Sequence, residues 1–352
     1  MKRLFWNSEE RRLAMFWRVL FQYGLFFIVM VVLQAIIGMA GGLILMASGA
    51  FTADTLSNPN FAMEFGRQLQ AMPVFSVLIT LAALIAVFGA TWVAGRLFDR
   101  RKFADFGFRF SNLWWSDFGF GLLLGIVLMG FIFFVERQMG WVEITGDMMA
   151  VRAGGSLLVG LLVAAFRYIC VGIYEELLSR GYLLRNLGEG LKNLGISPKI
   201  AILAGYVLTS VVFGLMHAGN PNATLISTIN LMIAGLFLGL GYILTGELGI
   251  SIGLHITWNF FQGNVFGFPV SGMGGDASLI NIVQGGPDLW TGGVFGPEAG
   301  LIGLVAIALG CILTLVYVRW RHGQVKICDE IAIYSPRVKK ITAEVEVVTE
   351  AG

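Results

Sequence analysis

Residues 167–182 read RYICVGIYEELLSRGY. Two adjacent carboxylates, Glu175 and Glu176, stand here in a chain where charge is scarce. The run before them, 156–165, is almost wholly apolar, and Tyr182, Leu183 and Leu184 follow. No proline interrupts the stretch, so the pattern predicts one continuous helix. On it Glu176 and Arg180 are four apart and share a face, acid first, the favourable order for an ion pair. Taken alone, that pair reads as a structural one. Glu175 sits about 100° further round and is free to face something else. An unpaired carboxylate in a bilayer costs on the order of 2–3 kcal/mol or more, so the group needs either a partner or a task.

Composition sets the fold class. The chain has 352 residues, 57% of them hydrophobic and only 13% charged, with a mean hydropathy of +0.78. Soluble domains carry about 25% charged residues. The expectation is an all-α, polytopic membrane helix bundle. A net charge of +2 gives no reason to expect nucleic acid. The three cysteines, Cys170, Cys311 and Cys328, form no paired spacing, so neither a disulfide framework nor a thiolate metal site is expected. The closing Thr349-Glu350-Ala351-Gly352 offers no cysteine for prenylation. The first apolar run is too long for a cleaved signal and reads as a retained span.

A hydrocarbon core of ~30 Å needs about 20 apolar residues per helix. About eight runs qualify or nearly so: 19–46, 73–98, 115–135, 156 into the Glu pair, 199–217, 224–244, 250–266 and 301–318. With the N-terminus inside, all of the 24 Lys and Arg except Arg67, Arg137, Arg152 and Arg167 fall on the inner side or its edge. The positive-inside rule then puts both termini in the cytoplasm of a multi-pass protein, and in a bacterium this means the plasma membrane. The expected divisions are N-terminal helices in 1–155, a core in 156–266, a Gly-rich extracytoplasmic loop in 267–298, a last span in 299–320 and a charged, poorly ordered cytoplasmic tail in 321–352. Residues 187–197 read as a short polar loop. Gly121 with Gly125, and Gly235 with Gly239, form G-x-x-x-G pairs that suit close helix packing.

The polar residues of the spans gather in the C-terminal half. His322 lies in the basic tail and receives no role. His217 ends the fifth run, four residues after Phe213, and His255 opens the seventh, four before Asn259 on the same face. Either histidine alone could be a packing residue, Asn259 interhelical glue and Arg167 a snorkelling anchor. Their convergence on consecutive spans with the acid pair argues for function, because intramembrane ionisable groups are functional candidates. A desolvated carboxylate can take a proton from water, one imidazole can relay it, and a second imidazole with a carboxamide can donate to an oxyanion. Glu175, His217 and His255 also suit a catalytic zinc with an open position, although no H-E-x-x-H is present. No Ser or Cys stands out as a nucleophile. A proton-coupled transporter could use the same groups, but no internal repeat supports one.

The ordered set Glu175-Glu176-x-x-x-Arg180-Gly181, Phe213-x-x-x-His217 and His255-x-x-x-Asn259 resembles the CPBP intramembrane proteases, which include the CAAX prenyl endopeptidases and the bacteriocin-immunity proteins. The resemblance covers about 156–266 and departs mildly at Ser179, where the family commonly has an aromatic residue. It implies an eight-helix bundle with the site inside the bilayer boundary. It implies that Glu175 and His217 activate water, that His255 and Asn259 stabilise the oxyanion, and that Glu176 and Arg180 support their helix. No cofactor is favoured, and zinc on Glu175, His217 and His255 is the alternative. The implied partner is a membrane-associated peptide or protein substrate within the lipid bilayer. A non-catalytic immunity or scaffold protein is the other reading. One difficulty stands: straight, full crossings would put Glu175 and His255 near the inner face and His217 near the outer one, ~30 Å away. Either the fourth helix is shifted, or a span is tilted, short or re-entrant.

Overall fold

The computed structural model describes residues 5–50, 57, 59–145, 150–151, 156–275 and 277–335. The helices are α1 (Met15–Ala47), α2 (Phe61–Ala71), α3 (Pro73–Leu97), α4 (Asn112–Gln138), α5 (Leu157–Glu176), α6 (Arg185–Asn193), α7 (Pro198–Met216), α8 (Leu225–Thr245), α9 (Gly249–Phe260), α10 (Asp288–Thr291) and α11 (Leu301–His322). Among the described residues seven helices are long and apolar enough to cross a bilayer: α1, α3, α4, the continuous 157–193 helix containing α5 and α6, α7, α8 and α11. The protein is an all-α integral membrane bundle.

The run expected as an eighth span, 250–266, is shorter than the others. It forms α9 and ends in a π-helical turn, Phe261–Val265. Every residue from Gly249 to Trp258 is buried, so α9 is apolar all round because protein, not lipid, surrounds it. Its few hydroxyls bond locally: Ser251 donates to the Leu238 carbonyl at 2.7 Å and Thr257 to that of Leu122 at 2.8 Å. Glycines bring α4 and α9 into backbone contact. A Cβ at Gly125 would lie 2.7 Å from the Trp258 nitrogen, and one at Gly253 would lie 2.8 Å from the Leu122 nitrogen. Gly235 of α8 does the same against Ser210 of α7, and Gly239 makes room for the Tyr206 ring. Both G-x-x-x-G pairs therefore serve packing.

The helix bearing the acid pair runs unbroken from Leu157 to Asn193, 37 residues. At about 1.5 Å per residue it spans roughly 55 Å, far more than the hydrocarbon core needs. Glu175 is its middle residue, so this helix is shifted rather than ended at the acid pair. Its turns from Leu177 to Leu184 are π-helical. The expected loop at 187–197 is instead mostly helix, and the reason is a set of tertiary partners. Glu189, 1% exposed, accepts from Arg12 at 2.5 Å, from Arg18 at 3.1 Å and from Arg101. Asp99 takes Arg18 at 3.0 Å and the Tyr182 hydroxyl at 2.8 Å. Burial, helped by the nearby Glu189, pushes the Asp99 carboxyl up against the pull of Arg18 and the Tyr182 hydroxyl.

The tail also differs from expectation as far as Ser335. Cys328 N–H donates to the Ile243 carbonyl at 2.8 Å, Ile331 and Ala332 are buried, and the Tyr334 ring lies 3.7 Å under the Arg12 guanidinium. Residues 336–352 of the expected tail lie outside the described residues. Segment 267–298 is more than a loop. Its strand β3 (Ala277–Ser278) pairs with β2 (Ala150–Val151), and β4 (Ile282–Gln284) pairs with β1 (Val142–Ile144), both antiparallel. These ladders tie the ends of α4 and α11 and the start of α5 together at the end of the bundle opposite the Glu189 cluster.

Candidate active site

Three helices bring the polar set together. From the middle of the 157–193 helix come Glu175 and Glu176, with Arg180 one turn on. Arg180 Nη1 donates to Glu176 Oε1 at 2.9 Å, and its Nη2 donates to the Gly235 carbonyl at 2.8 Å. The expected ion pair is present and wholly buried, with side-chain exposures of 1% and 0%. The guanidinium also stacks over the Phe213 ring at 4.9 Å, so that phenylalanine is a cation–π wall.

From α9 comes His255. Its Nδ1 lies 2.8 Å from the same Glu176 oxygen, Oε1. A carboxylate oxygen already receiving a guanidinium proton accepts here too, so Nδ1 carries the hydrogen. Nε2 of His255 points the other way and lies 3.9 Å from Glu175 Oε2. Glu176 thus orients His255 besides pairing with Arg180. That second contact joins residues 79 apart in sequence and left no mark in any local spacing.

His217 is the C-cap of α7. Its Nδ1 lies 2.7 Å from the Phe213 carbonyl. A carbonyl only accepts, so Nδ1 is the protonated nitrogen and Nε2 keeps its lone pair. Both imidazoles thus commit Nδ1, one to a carboxylate and one to a backbone carbonyl, and leave Nε2 for chemistry. Asn259, one turn beyond His255, makes no hydrogen bond among the described residues and leaves its carboxamide uncommitted.

Glu175, His217, His255 and Asn259 all line one cavity of about 690 Å³. Glu175 is 26% exposed into it, against 7% for the His255 side chain. Asn220 and Pro221, in the turn after His217, also line it. The N-terminal helices, which carried no motif, supply a wall through Met30, Arg67, Gln70, Ser76 and Thr80. The rim loop is held by Asn220 and Asn222, which donate to the Ser271 and Gly272 carbonyls at 3.0 and 3.3 Å.

Glu298, absent from the sequence-derived set, lines the same cavity at 3% exposure. It accepts from the Ser271 N–H at 2.5 Å and from Gln262. Burial pushes its carboxyl up to about 7, against the pull of those hydrogen bonds. It sits in a Gly/Pro-rich turn, Pro297–Ala299, where only the acid's isolation among apolar residues could have drawn notice. As for a metal, no three His, Cys, Asp or Glu side chains among the described residues form a group able to hold one.

Residues 156–261 match the family model "Type II CAAX prenyl endopeptidase Rce1-like". This stretch is similar to that family. It contains all six residues of the set, from Glu175 to Asn259. Similarity extends beyond the Rce1-like segment: the uncharacterized protein YyaK of Bacillus subtilis (strain 168) is 25% identical over 276 residues, 77% of this chain and 86% of the relative. No solved structure matches the chain. The matched segment is similar to the CAAX-type proteases, and the N-terminal helices complete the cavity it faces.

Proposed function

We propose that the protein is an intramembrane endopeptidase that hydrolyses a peptide bond with water activated by Glu175 and His217. One observation carries the reading: a carboxylate, two imidazoles each held through Nδ1 and an uncommitted carboxamide, from three helices, line a single cavity. In the proposed reaction Glu175 and the bare Nε2 of His217 draw a proton from a water between them. The water oxygen attacks the substrate carbonyl. The oxyanion accepts from His255 Nε2 and Asn259 Nδ2. His255 donates there when both ring nitrogens carry hydrogen, with Nδ1–H held by Glu176. The tetrahedral intermediate then collapses, and the departing amine takes the proton from Glu175. No step requires a metal, and zinc analysis of purified, active protein addresses that point. Stoichiometric zinc lost together with activity on chelation would replace this mechanism with a zinc-based one.

The test is cleavage of reporter peptides by the full chain in proteoliposomes. Glu175→Ala, His217→Ala and His255→Ala should each abolish cleavage while the protein still inserts. Full activity in Glu175→Ala would remove the proposed base. A cellular phenotype that survives all three substitutions would favour a non-catalytic binder.

We also propose that both termini are cytoplasmic, a reading the Lys and Arg distribution supports. The Glu189 cluster, with Arg12, Arg18 and Arg101, then marks the inner end. The cavity rim is built from the opposite end: α2, the turn after His217, the 270–275 loop and Glu298. The site is then entered from the extracytoplasmic side.

A further inference from the structure

Arg167 is the single cation between Ser156 and Arg180. It has two obvious uses, a snorkelling anchor or an ion-pair partner, and it shows neither. It lines the cavity rather than the lipid face. No carboxylate lies within ion-pair distance of it among the described residues. Its Nε is buried and has no hydrogen-bond partner. The Tyr168 ring lies 5.6 Å from the guanidinium carbon. The two other carboxylates of the cavity are committed elsewhere, Glu175 toward His255 and Glu298 to Ser271 and Gln262. A second guanidinium, Arg67 of α2, joins the same cavity from its rim, 78% exposed and paired with Glu64 at 2.7 Å.

A cation inside a membrane bundle is costly unless paired, and here the described residues supply no counter-charge. We infer that Arg167, assisted by Arg67, is a substrate subsite that receives an anionic group of the peptide. Arg167 precedes Glu175 by eight residues on one helix, a separation of about 12 Å along the axis. An extended peptide rises about 3.4 Å per residue, so the anionic group lies three to four residues from the scissile bond. Tyr168, Val171 and Tyr174 line the cavity along that interval and would face the intervening side chains. The anion is a free C-terminal carboxylate or an Asp/Glu side chain, since a guanidinium fork accepts either. The subsite rests on the protease reading for its task, but its binding can be read without catalysis.

The experiment uses the full chain in proteoliposomes and three forms of one fluorescent peptide: C-terminal acid, C-terminal amide, and amide with Glu placed four residues from the cleavage point. Binding is followed by anisotropy in the Glu175→Gln background, and cleavage in the wild type. The expected result is at least about tenfold tighter binding of one anionic form over the plain amide. That preference should vanish in Arg167→Gln and persist in Arg167→Lys. Which anionic form gains identifies the source of the charge. Cleavage should show the difference in KM, with the KM values of the anionic and amide peptides converging in Arg167→Gln. Equal binding of all three forms, or a preference that survives Arg167→Gln, overturns the subsite. Anion-selective, Arg167-dependent binding without cleavage in the wild type would keep the subsite and discard the protease reading.

Discussion

Asn259 and Glu176 separate two ways a residue can matter at this site. Asn259 has no structural bond to lose, so Asn259→Ala should leave the fold intact and lower kcat by about 100- to 1,000-fold, the usual cost of one oxyanion donor. KM should change little, and steady-state cleavage of a reporter peptide separates the two constants. Loss of kcat no larger than twofold would take Asn259 out of the reaction. Glu176 is different, because Oε1 holds both Arg180 and His255. Glu176→Ala would strand a guanidinium that is 1% exposed and should cost about 3–5 kcal/mol. Thermal unfolding in a lipid-like detergent would register it, and an unchanged midpoint would show that the buried pair contributes nothing net. The sequence supplied each of these positions, because ionisable groups on apolar helices are conspicuous. It could not supply the orientation of the imidazoles. That orientation rests on a backbone carbonyl for His217 and on a distant carboxylate for His255, and neither appears in local spacing.

At the scale of elements, hydropathy revealed the long spans because lipid contact demands unbroken apolar runs. It overstated 250–266, since a helix buried in protein is as greasy as one in lipid. It also read 187–197 as a loop, because arginines that arrive from α1 and from the segment after α3 cannot be seen from the polar helix they neutralise. The α4–α9 seam holds His255 and Asn259 in place, so its glycines are a test of positioning. Gly253→Val sets a side chain against the Phe118 carbonyl and the Leu122 nitrogen, which are backbone atoms that cannot turn aside. It should destabilise by about 1–3 kcal/mol or more and lower activity. Gly130→Ala, on the same α4 with open space around it, should be neutral or slightly stabilising; both are read by unfolding midpoint and cleavage rate. The 297–299 turn offers a pH test. Glu298 has its carboxyl raised from 4.5 to about 7 in the folded protein. Between those values the folded state holds a proton that the unfolded chain has released, so stability falls as pH rises through that window and levels off above it. Glu298→Gln should flatten that slope and leave the variant more stable than wild type near pH 8, as measured by unfolding midpoints from pH 5 to 8.

For the whole molecule, the cavity and the charge lie at opposite ends. The α1 helix is only 11% buried over its apolar window, so it faces lipid along most of its length. Its Arg18 nevertheless reaches the Glu189 cluster at the end rich in Lys and Arg. A membrane potential and anionic inner-leaflet lipids both favour that end on the cytoplasmic side. In the proposed orientation the rim of the cavity, with Gln70, Asn220 and Ser271, faces outward, and substrates would arrive from outside or from the outer leaflet. Single cysteines test this directly in a chain whose Cys170, Cys311 and Cys328 are replaced by alanine. Gln70→Cys should react with a membrane-impermeant maleimide in spheroplasts. Lys326→Cys, on the exposed tail, should react only after permeabilisation. The reverse pattern would invert the protein in the membrane and give the cavity to cytoplasmic peptides. Labelling needs no catalysis, so its outcome stands whether or not a peptide bond is ever cut.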